Sequence, residues 1–305
     1  MQTEATSRKA ETEQVRDRIA ARILDILDGS EEQQTCVDGL TIIQRTHPIP
    51  PTSYVYCPSL AMIMHGRKNI LIGDTAHYYD ESLFFLTSVD LPTVTEVVEA
   101  SPERPYVSVL LTLDLQLARE IIAEVDLDGT TFPDSSGQEF GPADKSLFDA
   151  MERLVSLASS PKGPRYLADL AKRELLYRLL TGPSGERVRR TAYLGTADHR
   201  VSHAVSWLRE NYASPLRVKA LASLCDMAES TLHQRFRALT SMSPLQYQKQ
   251  LRLHEARRIL LSEEVDAETA AIRVGYESVT QFNREYKRAF GAPPRRDIAQ
   301  LRHRR

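Results

Sequence analysis

Apolar positions along this chain recur with two different periods, and the change of period divides it. Val15, Ile19, Ile23, Ile26 and Leu27 fall at helical spacing and predict an amphipathic helix ending at Gly29. Its stripe needs a surface to cover, either the neighbouring domain or a partner subunit. Residues 1–13 before it are polar and predict no structure. From Leu40 to Leu113 the texture turns to short β-type runs at 40–43, 60–64, 69–72, 76–79, 83–86, 94–98 and 106–113. Turn residues such as Gly66, Gly73-Asp74 and Asp90-Leu91-Pro92 separate them. Strands in series without intervening helices predict a barrel or a sandwich. Helical periodicity then returns at 114–125, 143–158, 165–181 and 201–211, with an exposed loop expected over 126–142. Leu170, Leu175, Leu176, Leu179 and Leu180 give the third of these helices a broad apolar face that needs a cover, for which the strand region is one candidate.

The most informative pattern lies at 278–291. Read as a helix, it places Phe282, Tyr286, Ala289 and Phe290 on one face. Thr280, Arg284 and Lys287 fall opposite, with Asn283 on the flank. Ser278 and Gln281 predict a capping box, and Gly291 a stop. A shorter helix ends near Val274, and Gly275, Tyr276 and Glu277 make a tight connection: a helix-turn-helix. The pattern recurs fifty positions upstream, where Leu232 matches Phe282, Phe236 matches Tyr286 and Arg237 matches Lys287. At the same offset Leu224 matches Val274 and Cys225 matches Gly275. A fixed offset across core, turn and outer positions predicts a duplication. Between the copies Ser243-Pro244-Leu245-Gln246 opens a spacer helix with an N-cap, Pro at N1 and a capping-box Gln. About 20 helical residues span about 30 Å, close to the roughly 34 Å of one DNA turn.

The residues from Ala270 to Pro294, with the upstream copy, resemble the AraC/XylS family of transcriptional regulators. Tyr286 stands where the family usually has Phe, and Ala228 where the upstream copy usually has a Ser cap. The stretches 56–74 and 88–106 resemble the N-terminal cupin-like domain of one AraC-type subgroup. The resemblance implies an α+β fold: an N-terminal cupin-like β-barrel with flanking helices over 1–181, a linker at 182–198, and an all-α DNA-binding domain over 199–305. The two helix-turn-helix motifs fall near 217–240 and 267–290, joined by the spacer helix.

Charge agrees with that division. From His199 to Arg305 there are 19 Lys and Arg against 11 Asp and Glu, whereas the preceding residues hold 20 against 30. A basic segment on an acidic one fits a nucleic-acid reader joined to a domain that does not bind it. No apolar run approaches the length of a membrane span, about 18 residues. The N-terminus lacks the apolar core of a secretory signal. Cys36, Cys57 and Cys225 are far apart and are read as thiols in a reducing compartment, so the cytoplasm is the expected location.

No metal, cofactor or catalytic motif is expected. His65 and His77 stand alone in the strand region, and two imidazoles without a paired carboxylate make a poor metal site, so each is read as a pocket-lining or surface histidine. Cys57 precedes Pro58, with nothing to activate its thiol. The candidate site residues read DNA instead. Ser230, Thr231, His233 and Gln234 face outward from the first recognition helix, with Arg237 one turn on for a phosphate. Thr280, Asn283 and Arg284 match them in the second, and Lys287 parallels Arg237. Gln suits adenine and Arg suits guanine, each by a two-pronged contact. These residues point to sequence-specific regulation on double-stranded DNA, and the resemblance implies an activator that touches RNA polymerase, answers a small-molecule effector and forms a homodimer through the helix at 165–181. A metal-dependent cupin enzyme with a DNA-binding tail and a DNA scaffold without sequence preference are the alternatives.

Overall fold

The computed structural model describes residues 2–125, 137–159, 165–189 and 199–302. Helix α1 (Gln2–Leu27) opens the chain. Its stripe Val15, Ile19, Ala20, Ile23 and Leu27 is buried against the first sheet and helix α3 (Lys145–Ala158), within its own subunit. The helix runs back to Gln2, through residues whose polarity predicts no structure. Those residues include good helix formers, and extending a nucleated helix costs little.

Ten strands follow among the described residues: β1 (Glu32–Gln34), β2 (Leu40–Arg45), β3 (Ile49–Tyr56), β4 (Ser59–His65), β5 (Arg67–Ile72), β6 (Thr75–Asp80), β7 (Leu83–Thr87), β8 (Leu91–Glu99), β9 (Tyr106–Thr112) and β10 (Gln138–Pro142). All seven runs predicted from the sequence are among them. The cupin-like barrel expected from the resemblance is not formed. The strands make two separate sheets, one in the order β1-β2-β9-β4-β7-β10 and one in the order β3-β8-β5-β6. Each ladder stops at an edge, so the N-terminal domain is α+β with open sheets. The edges explain why closure fails. Strand β1 is a three-residue polar strand, β3 carries Pro50 and Pro51, and β10 ends at Pro142. Proline lacks the N–H that a further ladder needs, and short polar strands resist extension.

The first sheet is covered on both faces. Leu60, Met62 and Met64 of β4 pack toward α1, α3, α2 (Leu115–Glu124) and α4 (Arg165–Thr181). The alternate residues Ala61 and Ile63 join a second core. On α4, Leu175, Leu176, Leu179 and Leu180 are buried in the N-terminal core, and only Leu170 of the expected seam is exposed. That face is a cover for the sheet. The start of the loop expected at 126–142, and residues 190–198 of the linker, lie outside the described residues.

The C-terminal domain is all helical: α5 (His199–Glu210), α6 (Val218–Leu224), α7 (Glu229–Thr240), α8 (Pro244–Ser262), α9 (Ala267–Arg273), α10 (Val279–Phe290) and α11 (Pro294–Arg302). The second core runs from Phe85 and Tyr106 in the sheets to Val205, Leu232 and Phe236 in these helices. Polar contacts reinforce the seam. Arg209 Nη1 meets Asp90 Oδ2 at 2.6 Å, and the Tyr247 hydroxyl donates to the Asp90 carbonyl at 2.8 Å. Helix α8 also crosses β3, where the Ser53 hydroxyl lies 2.5 and 2.8 Å from the two ring nitrogens of His254.

Burial, with the Arg257 charge adding, pushes the His254 imidazole down to about 3. The packed ring is therefore neutral, whereas the unfolded chain protonates it near its ordinary value of about 6.5. Its contribution is whole above about pH 6.5 and is lost as pH falls toward 3, by up to about 1.4 kcal/mol per pH unit. Denaturant midpoints should fall on acidification through this window, and His254→Gln should flatten the slope.

Candidate nucleic-acid interface

Two helix-turn-helix units form, α6 with α7 and α9 with α10. In the first, Leu221, Ala222 and Cys225 pack against Leu232, Phe236 and Leu239. In the second, Ala270, Ala271 and Val274 pack against Phe282, Tyr286 and Phe290. These equivalences revise the duplication. The recognition helices α7 and α10 keep the fifty-residue offset, with Leu232 and Phe236 on Phe282 and Tyr286. The leading helices α6 and α9 are offset by forty-nine, so Cys225 corresponds to Val274 and the left-handed Asp226 to Gly275. The second turn carries one extra residue before Ser278.

Local signals set the helix ends. Ser278 accepts the Gln281 amide at 3.3 Å, but the Gln281 side chain turns to Glu285 at 3.2 Å, so half of the expected capping box is made. Ala228 gives α7 no side-chain cap. Ser243 and Gln246 complete the full box on α8. Ser241 and Gly291 end α7 and α10 in matching left-handed caps, whose amides reach the carbonyls of Arg237 and Lys287.

The outward faces carry the residues that the sequence singles out. Ser230, Gln234 and Arg237 are exposed on α7, and Thr231 and His233 half-buried. Thr280, Arg284 and Lys287 are exposed on α10, and Asn283 half-buried. None of these nine side chains is engaged in a hydrogen bond or ion pair among the described residues. Their donors face solvent on helices whose opposite faces are anchored.

What the sequence reading missed is the anchoring. Arg257 on α8 makes a two-pronged pair with Asp297 on α11, both bonds 2.8 Å, with each side chain 7% exposed. The Tyr286 hydroxyl of α10 donates to the same carboxylate at 2.8 Å. Burial and that carboxylate push the phenol well up, so it stays a donor. Arg257 also lies over the Phe290 ring, 4.6 Å from its centroid. Three helices thus meet at one carboxylate, which fixes the second recognition helix on the spacer. The spacer also holds the loop after α5. Arg252 donates to the carbonyls of Tyr212, Ala213 and Ser214, and Gln248 to those of Tyr212 and Ser214. Spacing alone could not reveal these contacts, because the partners are about 40 positions apart.

Among the described residues no group of three or more His, Cys, Asp and Glu is placed to hold a metal. His65 pairs with Asp17 of α1 at 2.8 Å, and His77 stacks on Phe140 with centroids 4.8 Å apart. Cys57 is half-buried.

Comparison with known proteins agrees with this architecture. Residues 36–187 match the model of the AraC-type transcriptional regulator N-terminus. Residues 221–300 match that of a helix-turn-helix domain, so about three quarters of the chain is accounted for. The chain belongs to the AraC/XylS family. It is 25% identical over 244 residues to the HTH-type transcriptional activator RhaS of Shigella dysenteriae, covering 79% of this chain and 81% of RhaS. ToxT of Vibrio cholerae shares the fold at a TM-score of 0.56 and 11% identity, over 88% of this chain and 98% of ToxT. A second ToxT structure, bound to (E)-4-(8-methylnaphthalen-1-yl)but-3-enoic acid, gives a TM-score of 0.56 at 12% identity, over 89% and 100% of the two chains. The fold of this AraC/XylS member is that of a sequence-specific DNA-binding regulator, and its open sheets are not a cupin barrel. Among the described residues no helix is long and apolar enough to cross a membrane.

Proposed function

We propose that the chain is an effector-responsive transcription activator that sets α7 and α10 into successive major grooves on one side of its operator. The observation carrying this reading is the pair of anchored helices with unspent outward donors. The 19-residue α8 between them is about 28 Å long, near the pitch of the duplex. In this reading Ser230, Thr231, His233, Gln234, Thr280, Asn283 and Arg284 face base edges, and Arg237 and Lys287 hold phosphates. Arg284→Ala should cost about 1–3 kcal/mol of operator binding and relax preference at one base position. Lys287→Ala should instead weaken operator and random DNA alike and lower the salt slope by about 1. Equal loss from Arg284→Ala on both DNAs would remove its base-reading role.

The effector part is read as residues 1–181 and the DNA-binding part as residues from 199 onward. Strand β3 supports a route between them. Thr52, Tyr54 and Tyr56 line a cavity between the sheets, while Ser53, pointing the other way, meets His254 of the spacer helix. An effector that prefers one arrangement of β3 shifts the population of spacer positions by its difference in affinity. Activation requires contact with RNA polymerase. The exposure of Tyr166, Leu170 and Tyr177 on α4 supports a homodimer contact on that face. Sedimentation of Leu170→Glu tests that contact, which a monomeric wild-type chain would rule out. Genome-wide mapping of bound DNA tests the function as a whole: a few promoter sites support it, and uniform coverage contradicts it.

A further inference from the structure

The cavity between the sheets has a volume of about 130 Å³. Tyr54, Tyr56, Tyr79 and Tyr106 give it aromatic walls, and three charged side chains reach it: Glu32, Arg45 and Lys68. Arg45 and Glu32 answer each other at 3.2 Å. Lys68 is different. Its Nζ donates to the Tyr56 hydroxyl at 2.9 Å and stands 6.0 and 5.5 Å from the ring centroids of Tyr54 and Tyr56. It has no carboxylate partner among the described residues. An ammonium has three donors, so two are left over.

The charges at the wall therefore sum to one positive. A cation would meet Lys68 unfavourably, and a polyol would leave that charge unanswered. Size narrows the choice further: a cavity of about 150 Å³ accepts one benzene ring, so this one of about 130 Å³, which opens to solvent, takes no more than a single ring. Resting on the effector reading above, we propose that this cavity binds an aromatic monocarboxylate of single-ring size, its carboxylate on Lys68 Nζ and its ring among the four tyrosines. Burial pushes the Lys68 ammonium down, a penalty that a bound anion relieves. Tyr54, 36% exposed, and the exposed Glu32 stand at the mouth.

Calorimetry on the full chain without DNA tests this with benzoate and its neutral match, benzamide. Benzoate should bind at least about tenfold more tightly, the ratio that a charge-assisted hydrogen bond supplies. Lys68→Met, close in shape, should bring benzoate down to the benzamide level. Equal affinity for the two compounds, no binding of either at millimolar concentration, or unchanged benzoate affinity in a folded Lys68→Met chain would overturn the assignment. The comparison of compounds on the native chain decides even if the variant does not fold. Operator binding measured in the same samples separates the two readings. Saturable benzoate binding that leaves operator affinity unchanged upholds the cavity assignment and removes the effector role.

Discussion

Replacing Asp297 by Ala should lower stability by about 3–5 kcal/mol, the usual cost of stranding one partner of a buried ion pair. The loss should fall on the second helix-turn-helix unit. Arg257 would keep its charge in a site 7% exposed, and the Tyr286 hydroxyl would lose its acceptor. Helices α8, α10 and α11 meet at this carboxylate, so their relative placement fails together. The chain offers a way to localise the effect. Its single tryptophan, Trp207, packs in the core shared by the sheets and the first motif. In the variant, helical circular dichroism should begin to fall at lower urea than Trp207 fluorescence, whereas superimposed transitions would contradict a loss confined to the second motif. Replacing Arg257 by Met and Asp297 by Leu together should recover much of the loss, because a packed apolar pair carries no desolvation penalty.

The second large effect is expected at Gly275. Its φ of +87° lies in the left-handed region, where a β-branched residue is strained by about 1–3 kcal/mol. A Cβ there would also run into the Ala213 carbonyl, and Arg252 and Gln248 clamp the loop that carries it. With no room to yield, Gly275→Val should cost about 2–5 kcal/mol in total. Gly291→Val provides the control. Its φ of +79° is equally left-handed, but nothing stands within 4 Å of the added carbon. It should lose only the backbone strain, and equal losses at the two sites would show that the Ala213 contact carries no weight.

The C-terminal half was legible because its signals are local. Capping residues, apolar faces four positions apart and a paired motif all lie within one turn or one repeat of each other. The one-residue difference between the turns escaped because apolar or small side chains occupy both candidate registers, and only burial, the helix ends and the left-handed Asp226 and Gly275 distinguish them. In the N-terminal half the central strands were visible from their apolar runs. The strands that the reading missed, β1, β3 and β10, are all sheet edges. Edge strands are polar or proline-bearing for the same reason that they are edges, and so they resemble loops. Missing them left open whether the ladder closes, and the family resemblance filled the gap with a barrel. Lys68 was invisible for a related reason: a lysine in a strand is ordinarily solvated, and only the opposing sheet encloses it.

Hydroxyl-radical footprinting on a promoter that the chain binds decides whether both helices seat on DNA together. Two protected windows on one face of the duplex, their centres about 10.5 base pairs apart, are expected. Gln234→Ala should weaken one window and Arg284→Ala the other. A single window, or protection spread evenly along the DNA, would contradict the account.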